Sequence, residues 1–294
     1  MVEKKGFFSL LGESWKEYKT NFYTILGLFL LLIVILGLVL AYLGIPLLGM
    51  SSDQIQNFYK SNRGVLYLMF QVIAMFLSAL FSVCIIYIGF NASKKLKFKD
   101  ALTKGAGYWG KYILVAIVLT VSLFLLALPA IACLASSYLL VLNSMGVSVP
   151  LFIVANPTLL LVIGLVLLVV PFFFLIRWLF SYIVLVGENK GGFSALKRSW
   201  EVVKGKSWRV LGYMILLAIF IGIFNYIIAI ISGFILGYTG NVSFIGEGAT
   251  QQALVTPAGS FINLIFGFVG KLIVSPLILI FLKNFYLELK GEKK

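Results

Sequence analysis

The 294-residue chain contains no histidine, which excludes every mechanism built on an imidazole base and every histidine-ligated metal. Its two cysteines, Cys84 and Cys133, lie inside long apolar runs, where they read as small buried hydrophobes and supply neither a disulfide framework nor a thiolate metal site. Charge is scarce, at 12% of residues, and acids are scarcer still, ten against twenty-four lysines and arginines. What fills the chain instead is 61% hydrophobic residues, with a mean hydropathy of +1.07. A water-soluble globule and a disordered chain are both excluded; this is the composition of a membrane protein.

A bilayer core of about 30 Å takes roughly 20 apolar residues of helix. Asn21 to Ser52 and Gly64 to Ser93 carry no charge, and Tyr112 to Ile176 runs sixty-five residues without one. The long run divides at Asn143 to Pro157, where Asn, Ser, Gly and two prolines collect. Two more spans flank the Gly-rich segment Gly237 to Pro257. The expected fold is therefore an all-α integral membrane protein with six transmembrane helices, near residues 22–48, 65–90, 112–142, 158–186, 210–236 and 258–282. Barrel strands would alternate polar and apolar positions, and Phe29 to Leu40 does not. The first run far exceeds the apolar core of a cleaved signal, so it is expected to remain as a span.

Twenty of the basic residues fall in the N-terminal lead, the second and fourth connections and the tail, leaving that face near +12, whereas the opposite face is near zero. Basic residues near span ends stay on the cytoplasmic side. Both termini are thus expected in the cytoplasm, the chain in the plasma membrane. Because insertion accounts for the charge, no nucleic acid is needed as a partner.

At an offset of 185 residues, the segment from Gly6 aligns with that from Gly191. Gly6, Phe8, Ser9, Leu11, Ser14, Trp15, Lys19, Leu26 and Gly27 recur as Gly191, Phe193, Ser194, Leu196, Ser199, Trp200, Lys204, Leu211 and Gly212. Phe98, Ala101, Gly105 and Tyr108 repeat the spacing with smaller side chains. The expected unit is an interfacial amphipathic helix followed by two spans, used three times within one polytopic domain, at about 6–97, 98–190 and 191–294. Phe193, Leu196, Trp200 and Val203 form one apolar stripe, as do Phe8, Leu11, Trp15 and Tyr18. Trp15 and Trp200, with Lys197 and Arg198 beside the latter, suit an anionic cytoplasmic leaflet, either as elbows that anchor the bundle or as contacts for lipid or a cytoplasmic partner.

The segment from Ile176 to Gly212 resembles the membrane domain attached to some bacterial glycerophosphoryl diester phosphodiesterases, and its stand-alone polytopic relatives. The features that carry the resemblance are Arg177 near the end of the fourth span, Glu188 after it, and the ALKRSW element of Ala195 to Trp200. Pro129 and Pro171 fall where that family often breaks its spans. The resemblance implies a six-helix integral domain. It does not import phosphodiesterase activity, which belongs to a separate soluble module of about 250 residues, if that module is a barrel, for which no room is expected here.

Ionisable groups inside a span cost about 2.5 to 3.5 kcal/mol on insertion scales and are functional candidates by default. Lys271 lies about 16 Å from either end of the sixth span. It is either a counter-charge for an anionic substrate or headgroup, or a donor to carbonyls freed near Pro276 or to Asn225. Asn225, Asn263 and Gln71 are the other polar candidates at depth. Arg177 reaches the interface by snorkelling, and its place in the family-like segment gives it a candidate role with Glu188 or a phosphate headgroup.

No catalytic constellation, cofactor motif or metal set stands out, so no enzyme, cofactor or metal is expected. The expected role is handling of lipid or another anionic amphiphile, or scaffolding, with anionic membrane lipids as partners. A transporter or channel for an anionic solute is the alternative, on the strength of the repeats, the prolines and Lys271.

Overall fold

The computed structural model describes residues 5–42, 62–92, 94–144, 156–239, 242–245, 252–255 and 257–291. Its helices are α1 (Phe7–Thr20), α2 (Phe22–Tyr42), α3 (Asn62–Phe90), α4 (Phe98–Ala106), α5 (Trp109–Ser144), α6 (Pro157–Leu167), α7 (Val169–Trp178), α8 (Ser181–Glu188), α9 (Phe193–Val203), α10 (Ser207–Tyr238) and α11 (Pro257–Lys290). Six spans are long and apolar enough to cross a membrane: Phe22–Tyr42, Val65–Phe90, Trp109–Val141, Pro157–Glu188, Ser207–Tyr238 and Ile265–Lys290. All six expected spans are present, and the sixth runs eight residues further than the charge pattern places it. The segment expected as a loop before α11 contains a short antiparallel pair, β1 (Val242–Ile245) and β2 (Gln252–Val255), with Val242 opposite Val255.

The chain forms two compact units, 1–109 with 212–294, and 110–211. In the first, Ile25, Phe29, Phe81, Cys84, Ile85, Leu272 and Ile280 make the core, with the Phe29 and Phe81 rings edge to face at 4.3 Å. Asn21, which ends α1, accepts a hydrogen bond from the Leu96 amide (3.0 Å), and Thr24 donates to the Leu96 carbonyl (2.6 Å), tying the second connection to the start of α2.

In the second unit the fourth span is broken twice. Pro171 has no N–H for the Leu167 carbonyl, and the α6–α7 boundary falls there. The second break, at Leu179 and Phe180, separates α7 from α8. Gly164 lets α6 approach α5: a Cβ there would stand 2.8 Å from Leu134 and 3.3 Å from the Ala130 carbonyl.

Within the units, the short helices dock on spans: α4 on α3 and α1 on α11 in the first, α9 on α7 and α8 in the second. The faces they bury differ by about one position from the expected stripes. Helix α1 buries Phe7, Leu10, Ser14 and Tyr18, and α9 buries Ala195, Leu196, Ser199, Val202 and Val203, while Phe8 and Phe193 protrude. A stripe drawn through large apolar side chains misses the small residues that allow close docking.

Candidate functional site

The polar residues that the sequence places at membrane depth are partly gathered. In the first unit, Lys271 and Asn225 line one cavity of about 450 Å³ between α10, α11 and α3, together with Ser82, Gly267, Gly270 and Ser275. Both side chains are exposed and hold no hydrogen-bond or ion-pair partner among the described residues. Gly270 sets the approach of the two spans, because a Cβ on it would stand 3.2 Å from Ile228 and 4.0 Å from the Asn225 Oδ1. Gln71 is exposed on α3 and does not line this cavity. The side chain of Asn263 lies outside the described ones.

A second cavity, of about 400 Å³, adjoins the first through Val274 and Ile278, which line both. Its walls are apolar: Phe8, Leu11 and Trp15 from α1, Leu217, Phe220 and Phe224 from α10, and Leu277 from α11. Trp15 lines the second cavity and Lys271 the first. Lys19 Nζ lies 5.9 Å over the Trp15 ring. Buried residues are far fewer along the fifth span than along the sixth.

A buried polar seam fixes α1 to α11. Lys283, 2% exposed, donates to Glu17 Oε2 at 2.7 Å and to Asn284 Oδ1 at 2.7 Å. Asn284 donates to the buried Ser14 hydroxyl at 3.0 Å, which donates in turn to the Leu10 carbonyl. Tyr18 closes the other end of the seam, its hydroxyl directed to the Leu272 carbonyl at 3.4 Å. Burial pushes the Tyr18 phenol up to about 12, so it is a neutral donor at physiological pH. None of these seam residues was legible as a site. Lys283 and Asn284 sit just past the expected span end, where polar residues are ordinary, and their partners are more than 260 positions away.

In the second unit Arg177 is stacked between rings, its Cζ 4.7 Å from the Trp200 centroid and 5.1 Å from that of Phe173. Its Nε and Nη1 are buried without a hydrogen-bond partner among the described residues. It makes no ion pair with Glu188, one of its two candidate partners, among the described residues. Glu188 instead accepts from Arg198 at 3.1 Å and pairs with Lys190 at 3.0 Å, and Arg198 also reaches Glu201. Arg198 is thus neutralised by acids, Lys197 is exposed on α9, and Trp200 serves as a lid on Arg177. Below them Ser199 bridges the α7–α8 break, accepting from the Phe180 amide (3.1 Å) and donating to the Arg177 carbonyl (2.8 Å).

Six apolar spans with short helices docked at their ends define a multi-pass helical membrane protein. The membrane domain of glycerophosphoryl diester phosphodiesterase matches residues 89–290, more than half of the chain, and the chain belongs to that family. The match is to the membrane domain and not to the catalytic module. No curated protein and no solved structure matches it.

Proposed function

We propose that this domain binds an anionic amphiphile from the bilayer in the cleft between the fifth and sixth spans, and that it catalyses no reaction. The observation that carries this reading is Lys271: an exposed cation within the sixth span, without a partner among the described residues, in a cavity that shares Val274 and Ile278 with an apolar one. A buried structural lysine is paired, as Lys283 is with Glu17. Lys271 has no such partner among the described residues, and a charge kept at that depth without one is accounted for by a ligand that supplies it. The apolar walls favour a ligand with an acyl chain over a small hydrophilic solute.

The lysine and arginine distribution supports cytoplasmic termini in the plasma membrane, with α1, α4 and α9 at the cytoplasmic headgroup level. The threefold unit gains support from the small residue at the centre of each docked face, Ser14, Gly105 and Ser199. On this reading α1 caps the last span as α4 and α9 cap the second and fourth.

The test is native mass spectrometry of gently extracted protein offered equal amounts of phosphatidylglycerol and phosphatidylcholine with identical chains. Wild type is expected to retain the anionic lipid preferentially, Lys271→Arg to keep that preference and Lys271→Met to lose it. Equal retention of both lipids by wild type overturns the proposal.

A further inference from the structure

Among the described residues that line the Lys271 cavity, the lysine is the one cation and there is no acid. The other polar groups are neutral: the Asn225 carboxamide from α10, the Ser82 hydroxyl from α3, and the Ser275 hydroxyl, which follows the lysine by four residues on the same face of α11. Three helices thus contribute to one polar wall. The Asn225 carboxamide lies beside Gly270, where a Cβ would stand 4.0 Å from its Oδ1. Ser82 donates to the Ser78 carbonyl at 2.9 Å and keeps its lone pairs for an incoming donor. Asn225 and Ser275 make no hydrogen bond among the described residues.

The charges at the cavity select the kind of anion. A phosphate monoester carries about −1.5 to −2 at neutral pH, more than one lysine offsets. A headgroup bearing an ammonium would set a second cation beside Lys271, with no acid lining the cavity to compensate it. A phosphodiester with a neutral substituent meets both conditions. The neutral groups then select the substituent, because water is scarce within the span and a hydroxyl or carboxamide removed from water without a partner is costly. An alkyl substituent gives Asn225 and Ser275 nothing to bond. A hydroxyl donates and accepts, as both of them require.

We infer that the cavity selects a headgroup that is a singly charged phosphodiester bearing free hydroxyls, with Lys271 on the phosphate and Asn225 and Ser275 on the hydroxyls. The inference rests on the binding reading above and adds the chemistry of the headgroup to it. A glycerol headgroup has this make-up; choline and ethyl headgroups do not.

The test is native mass spectrometry of the gently extracted full chain offered equal amounts of phosphatidylglycerol, phosphatidylethanol and phosphatidylcholine with identical acyl chains. Phosphatidylethanol has the phosphodiester and the charge of phosphatidylglycerol and lacks the hydroxyls. Wild type is expected to retain phosphatidylglycerol about tenfold over phosphatidylethanol, the factor that two modest hydrogen bonds supply, and phosphatidylethanol over phosphatidylcholine. Asn225→Leu should bring the ratio of the two anionic lipids close to one. Ser275→Ala should lower the same ratio, and this smaller change keeps the test decisive if Asn225→Leu does not fold. Glycerophosphoglycerol, the same headgroup freed of its chains, should not displace the lipid at equal concentration; displacement would make a soluble phosphodiester the ligand and overturn the lipid assignment. If wild type retains both anionic lipids equally and above phosphatidylcholine, selection by hydroxyls is overturned and binding of an anionic amphiphile stands. If it retains all three equally, both fail. A wild-type ratio that survives both Asn225→Leu and Ser275→Ala also overturns the inference.

Discussion

Ser199 on α9 completes the backbone of the fourth span at Phe180, accepting its amide hydrogen at 3.1 Å while its own proton goes to the Arg177 carbonyl at 2.8 Å. Both groups flank a helix break, and the hydroxyl is fully buried. Ser199→Ala removes both of these buried hydrogen bonds and is expected to cost about 2 kcal/mol. Thermal unfolding in detergent checks this, and an unchanged midpoint would show that the break is satisfied some other way.

The Lys283–Glu17 pair predicts a different pattern. Removing one partner leaves the other charge buried, so Glu17→Gln and Lys283→Met should each destabilise by about 3 kcal/mol or more. The double variant Glu17→Leu/Lys283→Met should recover much of that loss, because two apolar groups leave no orphan charge. A double-mutant cycle on unfolding free energies measures the coupling; additive losses would contradict it.

Gly105 is set by contact rather than by its backbone angles. A Cβ there would fall 2.7 Å from the Cys84 Sγ and 2.9 Å from the Cys84 Cα. Gly105→Ala should cost about 1 to 3 kcal/mol through overpacking. Cys84→Ala should fail to rescue it, since the Cα clash remains. Melting of the single and double variants decides the point.

How much of this was legible beforehand follows from the range of each signal. Span number and class are local properties of charge-free runs, and they read directly. Lys271 and Asn225 were picked out by cost at depth, with Asn225 offered as one partner for Lys271, and they line one cavity; Gln71 obeyed the same rule and does not line it. The rule registers depth but not the direction a side chain takes around its helix. The family-like segment offered Arg177 either Glu188 or a phosphate headgroup; Glu188 pairs with Arg198 and Arg177 stacks on Trp200, contacts that depend on how α9 docks and that no local pattern contains. Ser14 and Ser199 appeared only as repeated letters. Their role depends on Asn284 and on the fourth-span break, neither of which a local pattern contains.

Tyr18 gives the fold an alkaline limit. Its phenol is raised from 10 to about 12 by burial, so the folded state holds that proton more tightly than the unfolded chain. The associated stability is fully present below pH 10 and is lost as pH rises towards 12. Circular dichroism across that range should show a drop in melting temperature for wild type that is smaller in Tyr18→Phe.

The account turns on where an anionic lipid sits, and photocrosslinking reads that position directly. Phosphatidylglycerol bearing a diazirine in its acyl chain, irradiated with the reconstituted protein and mapped by peptide mass spectrometry, should label the slot walls at Phe220, Phe224 and Leu277, and Lys271→Met should remove that labelling. Labelling spread evenly over the outer faces of all six spans, unchanged by Lys271→Met, would contradict the account.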